Sequence, residues 1–144
     1  MARISVYIAG PLFSQAELMF NAQLADDLAV AFDVYLPQRD GRLLVEMIRR
    51  GEQPEKAAKA VFENDLAAIR NCDLLVIVLD GRSVDEGAAF ELGYAYAIGK
   101  PCYGLQTDPR RLLPFGNNPM LQHALKAVVS NVRDLMRVMP TPDG

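Results

Sequence analysis

The run Asp73-Leu74-Leu75-Val76-Ile77-Val78-Leu79 constrains this chain more than any other feature. Unbroken apolar character with a β-branched centre suits a strand buried on both faces, which is the situation inside a parallel sheet covered by helices. A strand with one wet face would alternate polar and apolar residues instead.

The flanking segments follow the same logic. Arg3 to Ala9 reads as a strand ended by Gly10-Pro11. Ser14 is placed to cap a helix carrying Leu18, Ala22, Ala25, Leu28 and Ala29 at helical spacing, with Glu17 completing a capping box. Asp33 to Leu36 is a short strand stopped by Pro37, and a polar stretch from Gln38 to Arg42 leads into another helix. Pro54 opens a helix to about Arg70, residues 87–98 form the next, and Pro101 to Leu105 is a further strand. A Pro/Gly/Asn-rich loop over 107–118, a short helix, the strand-like Val128-Val129 and a helix from about Asn131 complete the order.

Strands alternating with helices predict an α/β fold: a single-domain, doubly wound (flavodoxin-like or Rossmann-like) five-stranded parallel sheet flanked by helices, with right-handed crossovers. The domain is expected over residues 1–139, followed by a flexible C-terminal tail at 140–144. At 144 residues, with 51% hydrophobic and 23% charged residues, the chain has the length and composition of one globular domain. A net charge of -3 speaks against binding to a nucleic-acid polymer, which needs a basic face. The apolar start is short and broken by Gly10-Pro11, so an export signal is not expected. No stretch approaches the roughly 20 apolar residues of a membrane span. Cys72 and Cys102 read as buried free thiols, and a cytoplasmic location follows. With one histidine and no CxxC pattern, no metal is expected.

In such sheets ligands bind at the carboxyl ends of the strands. Three groups stand there or one helix face ahead: Tyr7 to Pro11 with Phe13, then Asp80-Gly81-Arg82 leading through Asp85 to Gly93, and Asn64-Asp65. Glu91 lies early in a helix among Ala88, Ala89, Phe90, Leu92 and Gly93, where a carboxylate is costly unless paired or functional. The ordinary alternative is a solvated helix glutamate, which the apolar neighbours, Gly87 and an expected close packing at Gly93 argue against. Asp85 is equally suited to capping that helix. Asp65 could be a solvated helix aspartate and Tyr7 a core aromatic. None of these decides alone.

Taken together, Tyr7-Ile8-Ala9-Gly10-Pro11-Leu12-Phe13, Asn64-Asp65, Asp85-Glu86-Gly87-Ala88-Ala89-Phe90-Glu91-Leu92-Gly93-Tyr94-Ala95 and Gly116-Asn117-Asn118-Pro119-Met120-Leu121 closely resemble the nucleoside 2-deoxyribosyltransferases. The resemblance spans nearly the whole chain. It implies Glu91 as a nucleophile that forms a covalent deoxyribosyl-enzyme intermediate, held by a hydrogen bond from Tyr7. Asp65 would contact and protonate the base. Asp85 would bind the sugar 5′-hydroxyl, and Asn118 would reach a neighbouring subunit's site. Phe13 would pack on the base, with Gly10, Gly87, Gln38 and Asp40 counted among the substrate-binding residues. The implied partners are 2′-deoxyribonucleosides and free nucleobases, in a homo-oligomer with shared sites. The implied role is nucleotide salvage, with no cofactor.

Related deoxynucleotide N-glycosidases carry a serine where Asp85 stands. A carboxylate there repels a 5′-phosphate and favours nucleosides; Arg82 and Arg110-Arg111 could offset that repulsion, and the simpler reading of them is as solvated loop charges. Hydrolysis of deoxynucleosides or their 5′-monophosphates is the alternative activity, and a non-catalytic nucleotide-binding module the alternative class. Many family members end in an aromatic residue whose carboxylate enters a site. Here the end is Thr141-Pro142-Asp143-Gly144, so no such role is carried over.

Overall fold

The computed structural model describes residues 2–108, 110 and 116–141. Arg111 and residues 142–144 of the expected tail lie outside the described residues. The elements run β1 (Ser5–Ala9), α1 (Gln15–Leu28), β2 (Asp33–Tyr35), α2 (Pro37–Asp40), α3 (Leu44–Arg49), α4 (Pro54–Asn71), β3 (Leu74–Val78), α5 (Glu86–Ala97), β4 (Cys102–Leu105), α6 (Pro119–Gln122), β5 (Val128–Val129) and α7 (Val132–Val138). All five strands are parallel, in the order β2-β1-β3-β4-β5. The expected doubly wound sheet is therefore present. Its strand order reverses between β1 and β3, where such sheets open a crevice at their carboxyl ends.

Alternation along β1 and β3 sorts side chains into two layers. Val6, Ile8, Val76 and Val78 pack with Leu24, Leu28, Leu135 and Met139 from the α1 and α7 side. Tyr7, Ala9, Leu75, Ile77 and Leu79 pack with Ile69, Ala88, Leu92 and Ala95 from the α4 and α5 side. Every residue of β3 is buried, as its unbroken apolar run requires. This sorting decides the site, because Tyr7, an odd-numbered residue of β1, necessarily faces α4 and α5.

Ser14 caps α1 in a full capping box with Glu17. The segment after β2 departs from the expected loop. Pro37 to Asp40 turns once as helix, because proline is preset for a first helical position and the Asp40 carboxylate accepts the Leu36 amide at 2.9 Å. Both cysteines are free and buried. Among the described residues, no helix is long and apolar enough to cross a membrane.

Candidate active site

Tyr7 is fully buried on the central strand pair, and its hydroxyl donates to Oε2 of Glu91. Sequence places these residues 84 positions apart. They meet because β1 aims Tyr7 at α5, and because Glu91 sits one and a half turns into that helix, on its sheet-facing side. Burial, followed by the nearby Glu91 and Asp65 charges, raises the Tyr7 pKa. The phenol thus stays protonated and stays a donor.

Burial pushes the Glu91 carboxyl up to about 7. The Tyr7 hydrogen bond opposes that shift, and the Asp65 and Asp85 charges add to it. Asp65, on the inward side of α4, is pushed up to about 6 by burial, with the Asn64 side chain pulling the other way. Two carboxyls are thus held above their ordinary range beside a buried phenol, and the Asp65 charge acts on Glu91. Carboxyls raised in this way are the kind of group that can act as nucleophile or acid near neutral pH.

Asp85 does take the helix-capping role: its carboxylate accepts the Ala88 amide at 2.9 Å at the start of α5. A Cβ on Gly87 would come within 3.3 Å of Asp85 Oδ2, so glycine leaves that carboxylate room. Gly10 does the same for backbone approach, since a Cβ there would lie 3.1 Å from Val78 Cβ. Gly93 departs from expectation. A Cβ there would meet nothing within 4 Å, because this residue lies on the outer face of α5, so its neighbours do not explain the glycine.

Phe13 is 78% exposed just ahead of α1. Gln38 is bound internally: its amide donates to the Leu18 carbonyl at 2.9 Å and accepts from Asn21 at 3.1 Å. Asp40 accepts from the Leu36 amide and pairs with Arg39 at 2.8 Å. Asn118 is exposed and caps the short α6 by accepting the Met120 amide at 2.9 Å. The charges of Asp65 and Asp85 thus act on Glu91, which Tyr7 bonds, while Phe13, Gln38, Asp40 and Asn118 lie on separate segments with local partners of their own or exposed.

Two residues, Asn21 and Tyr35, escape sequence reasoning, and Asp80, placed at a strand end by the sequence, gains a definite role. Asn21 is buried and donates to the Pro11 carbonyl at 2.8 Å, pinning the loop after β1. Its signal is a polar residue within an apolar helix face. Asp80 accepts from the Thr107 and Asp108 amides at 2.6 and 2.9 Å, tying the end of β3 to the loop after β4. Tyr35 stacks on Tyr7, with ring centroids 5.4 Å apart and planes 11° from parallel. A cavity of about 470 Å³ lies beyond the first turn of α5, between Val84, Ala89, Gln106, Asn118 and Leu121. Tyr7, Asp65 and Glu91 are not among the described residues that line it. The perturbed carboxyls therefore mark a different place from this cavity, and they are the better guide to reactivity.

Solved structures with this fold include a conserved protein from Enterococcus faecalis V583, 31% identical, with a TM-score of 0.79 over 94% of this chain and 96% of that one. The 2-deoxyribosyltransferase of Bacillus psychrosaccharolyticus is 24% identical, with a TM-score of 0.74 over 94% and 92%. The CMP N-glycosidase of Clostridium botulinum shares the fold more loosely, at 18% identity and a TM-score of 0.52 over 92% and 96%. An uncharacterised protein of Ureaplasma parvum serovar 3 is 31% identical over 117 residues, which is 75% of this chain and 73% of that protein. The family model described as nucleoside 2-deoxyribosyltransferase matches residues 6–139. The chain therefore belongs to the nucleoside 2-deoxyribosyltransferase family.

Proposed function

We propose that this protein exchanges the base of 2′-deoxyribonucleosides through a covalent deoxyribosyl intermediate on Glu91. The observation that carries the reading is the buried Tyr7 hydroxyl bonded to Glu91, with Asp65 close enough for its charge to act on both. A Glu91 oxygen forms a bond to C1′ as the C1′–N bond breaks, and the electron pair leaves on the base nitrogen. Asp65 gives that nitrogen its proton and is left as a carboxylate. An incoming base then loses its proton to Asp65 and attacks C1′ with its lone pair, and the Glu91 carboxylate departs. Two inversions give net retention, and splitting the substitution lowers each barrier.

The Tyr7 bond steers one Glu91 oxygen and holds charge on the carboxylate. Asp85, at the mouth of α5, takes the sugar 5′-hydroxyl and disfavours a phosphate there. Phe13, exposed beside the β1 loop, offers a ring face to the base. Gly10 and Gly87 keep backbone and carboxylate close to the sugar. Gln38 and Asp40 shape the base side by fixing the α2 turn. Asn118 serves the site of a second copy, which makes the active species a homo-oligomer. The expected setting is salvage of nucleosides.

The test is a chromatographic assay with deoxyinosine or thymidine as donor, with and without adenine, for wild type and Glu91→Ala. Deoxyadenosine should form only with wild type plus adenine, and Glu91→Ala should lose on the order of 10³-fold or more in kcat. Base release without an exchange product would make the enzyme a hydrolase. Undiminished turnover by Glu91→Ala would overturn the nucleophile.

A further inference from the structure

We propose that Tyr35 is a positioning residue for the two reactive carboxyls, bracing the Tyr7 ring that bonds Glu91 and fixing the Asn64 amide beside Asp65. The inference rests on the reading of Glu91 and Asp65 given above and deepens it. Tyr35 ends β2 directly opposite Tyr7 in the parallel register. Both side chains therefore rise on the α4 and α5 face of the sheet. Their near-parallel rings, 5.4 Å apart, limit how far the Tyr7 ring can swing and so where its hydroxyl meets Glu91.

The Tyr35 hydroxyl has a separate task. It accepts the Asn64 Nδ2 hydrogen at 3.0 Å, fixing the amide that lies next in sequence to Asp65 and draws its proton affinity down. Phenylalanine would keep the stack and lose this bond, so one ring carries two functions that substitution can separate. Space around the hydroxyl is tight: a Cβ on Gly41 would come within 3.2 Å of it. The groups facing Tyr35 are Asn64 and Asp65 from α4, Asp40 from α2 and Cys72 just past α4. Asp65 acts in turn on Tyr7, Tyr35 and Glu91. Among the described residues, no lysine or arginine appears in these influences: burial raises both carboxyls, and the Asn64 amide is what draws Asp65 back down.

The experiment compares kcat and KM against pH for wild type, Tyr35→Phe, Asn64→Ala and the double variant, with turnover read as base release so that transfer and hydrolysis both count. Tyr35→Phe should lower kcat by about tenfold with KM little changed. One limb of its pH profile should move to higher pH as Asp65 loses the restraining amide. Asn64→Ala should move the same limb in the same direction, and the double variant should add almost nothing. Tyr35→Leu, which also removes the stack, should disturb both limbs. A Tyr35→Phe enzyme with the wild-type rate and profile overturns the proposal. So does a loss of rate with an unmoved profile, which is what a purely structural aromatic would produce. If Glu91→Ala retains turnover in the same assay, the underlying reading fails instead, and the two failures are told apart.

Discussion

Glu91 is held at a cost to the fold. A carboxyl whose folded-state pKa lies above its ordinary value binds its proton more tightly in the native state than in the unfolded chain. The resulting stabilisation is complete at acidic pH and is lost as pH rises through about 7. Glu91→Gln has no charge to desolvate, and its amide oxygen still accepts from Tyr7. It should match wild type near pH 4.5 and be more stable at pH 8 by on the order of 2 kcal/mol, about 5 °C in melting temperature. Thermal melts at the two pH values check this, and equal stabilities at pH 8 would mean that Glu91 is better solvated than its burial implies.

At this scale the sequence was informative for some residues and silent for others. Glu91 stood out because a carboxylate among alanines, leucine and glycine needs a reason, but its bond with Tyr7 came from the family resemblance and not from spacing. Tyr35 was unreadable, since its meaning depends on a register between two strands separated by a whole helix. Gly93 misled, because a glycine near a buried glutamate looks like a packing requirement until the helix phase is known.

Helix α5 carries the site on its first turns, and its cap is itself a charged group beside Glu91. Cap and charge are separable, since asparagine caps as well as aspartate does. Asp85→Ala should lose about 1 kcal/mol of stability, whereas Asp85→Asn should keep it. Without the Asp85 charge, Glu91 should also ionise at lower pH in the asparagine variant, shifting the acidic limb of kcat/KM downward. Denaturant melts and pH-rate profiles of the two variants decide this, and equal losses of stability would show that the Ala88 hydrogen bond contributes little. Elements with strong local signals were legible: the capping box of α1, the apolar run of β3, and the helix expected over 87–98 and found at Glu86–Ala97. The α2 turn was not, because its helical geometry depends on one side chain reaching back to Leu36.

At the level of the molecule, an exposed aromatic contact joins α4 and α5. Phe62 and Phe90 are about half exposed and lie against each other with centroids 5.9 Å apart, and Tyr96 is 60% exposed on the same helix as Phe90. Patches of this kind commonly mark association surfaces. With Asn118 assigned to a second copy's site, the active species should be at least a dimer. Light scattering at assay concentrations tests this, and a fully active monomer would refute it. Asn118→Ala should then depress turnover with little change in melting temperature.

The placement of β1 has a consequence for how the enzyme fails. Strands paired on both sides open last, whereas loops and sheet margins open at little free energy. Tyr7 belongs to the first kind, flanked by β2 and β3. Phe13 and Asn118 sit on exposed connections that fluctuate far more easily. Breathing of the molecule should therefore disturb the proposed substrate contacts of Phe13 and Asn118 before it disturbs the Tyr7–Glu91 bond. The reacting centre is lost only in the event that dissolves the sheet, and recovery of activity on refolding should follow recovery of the strand core.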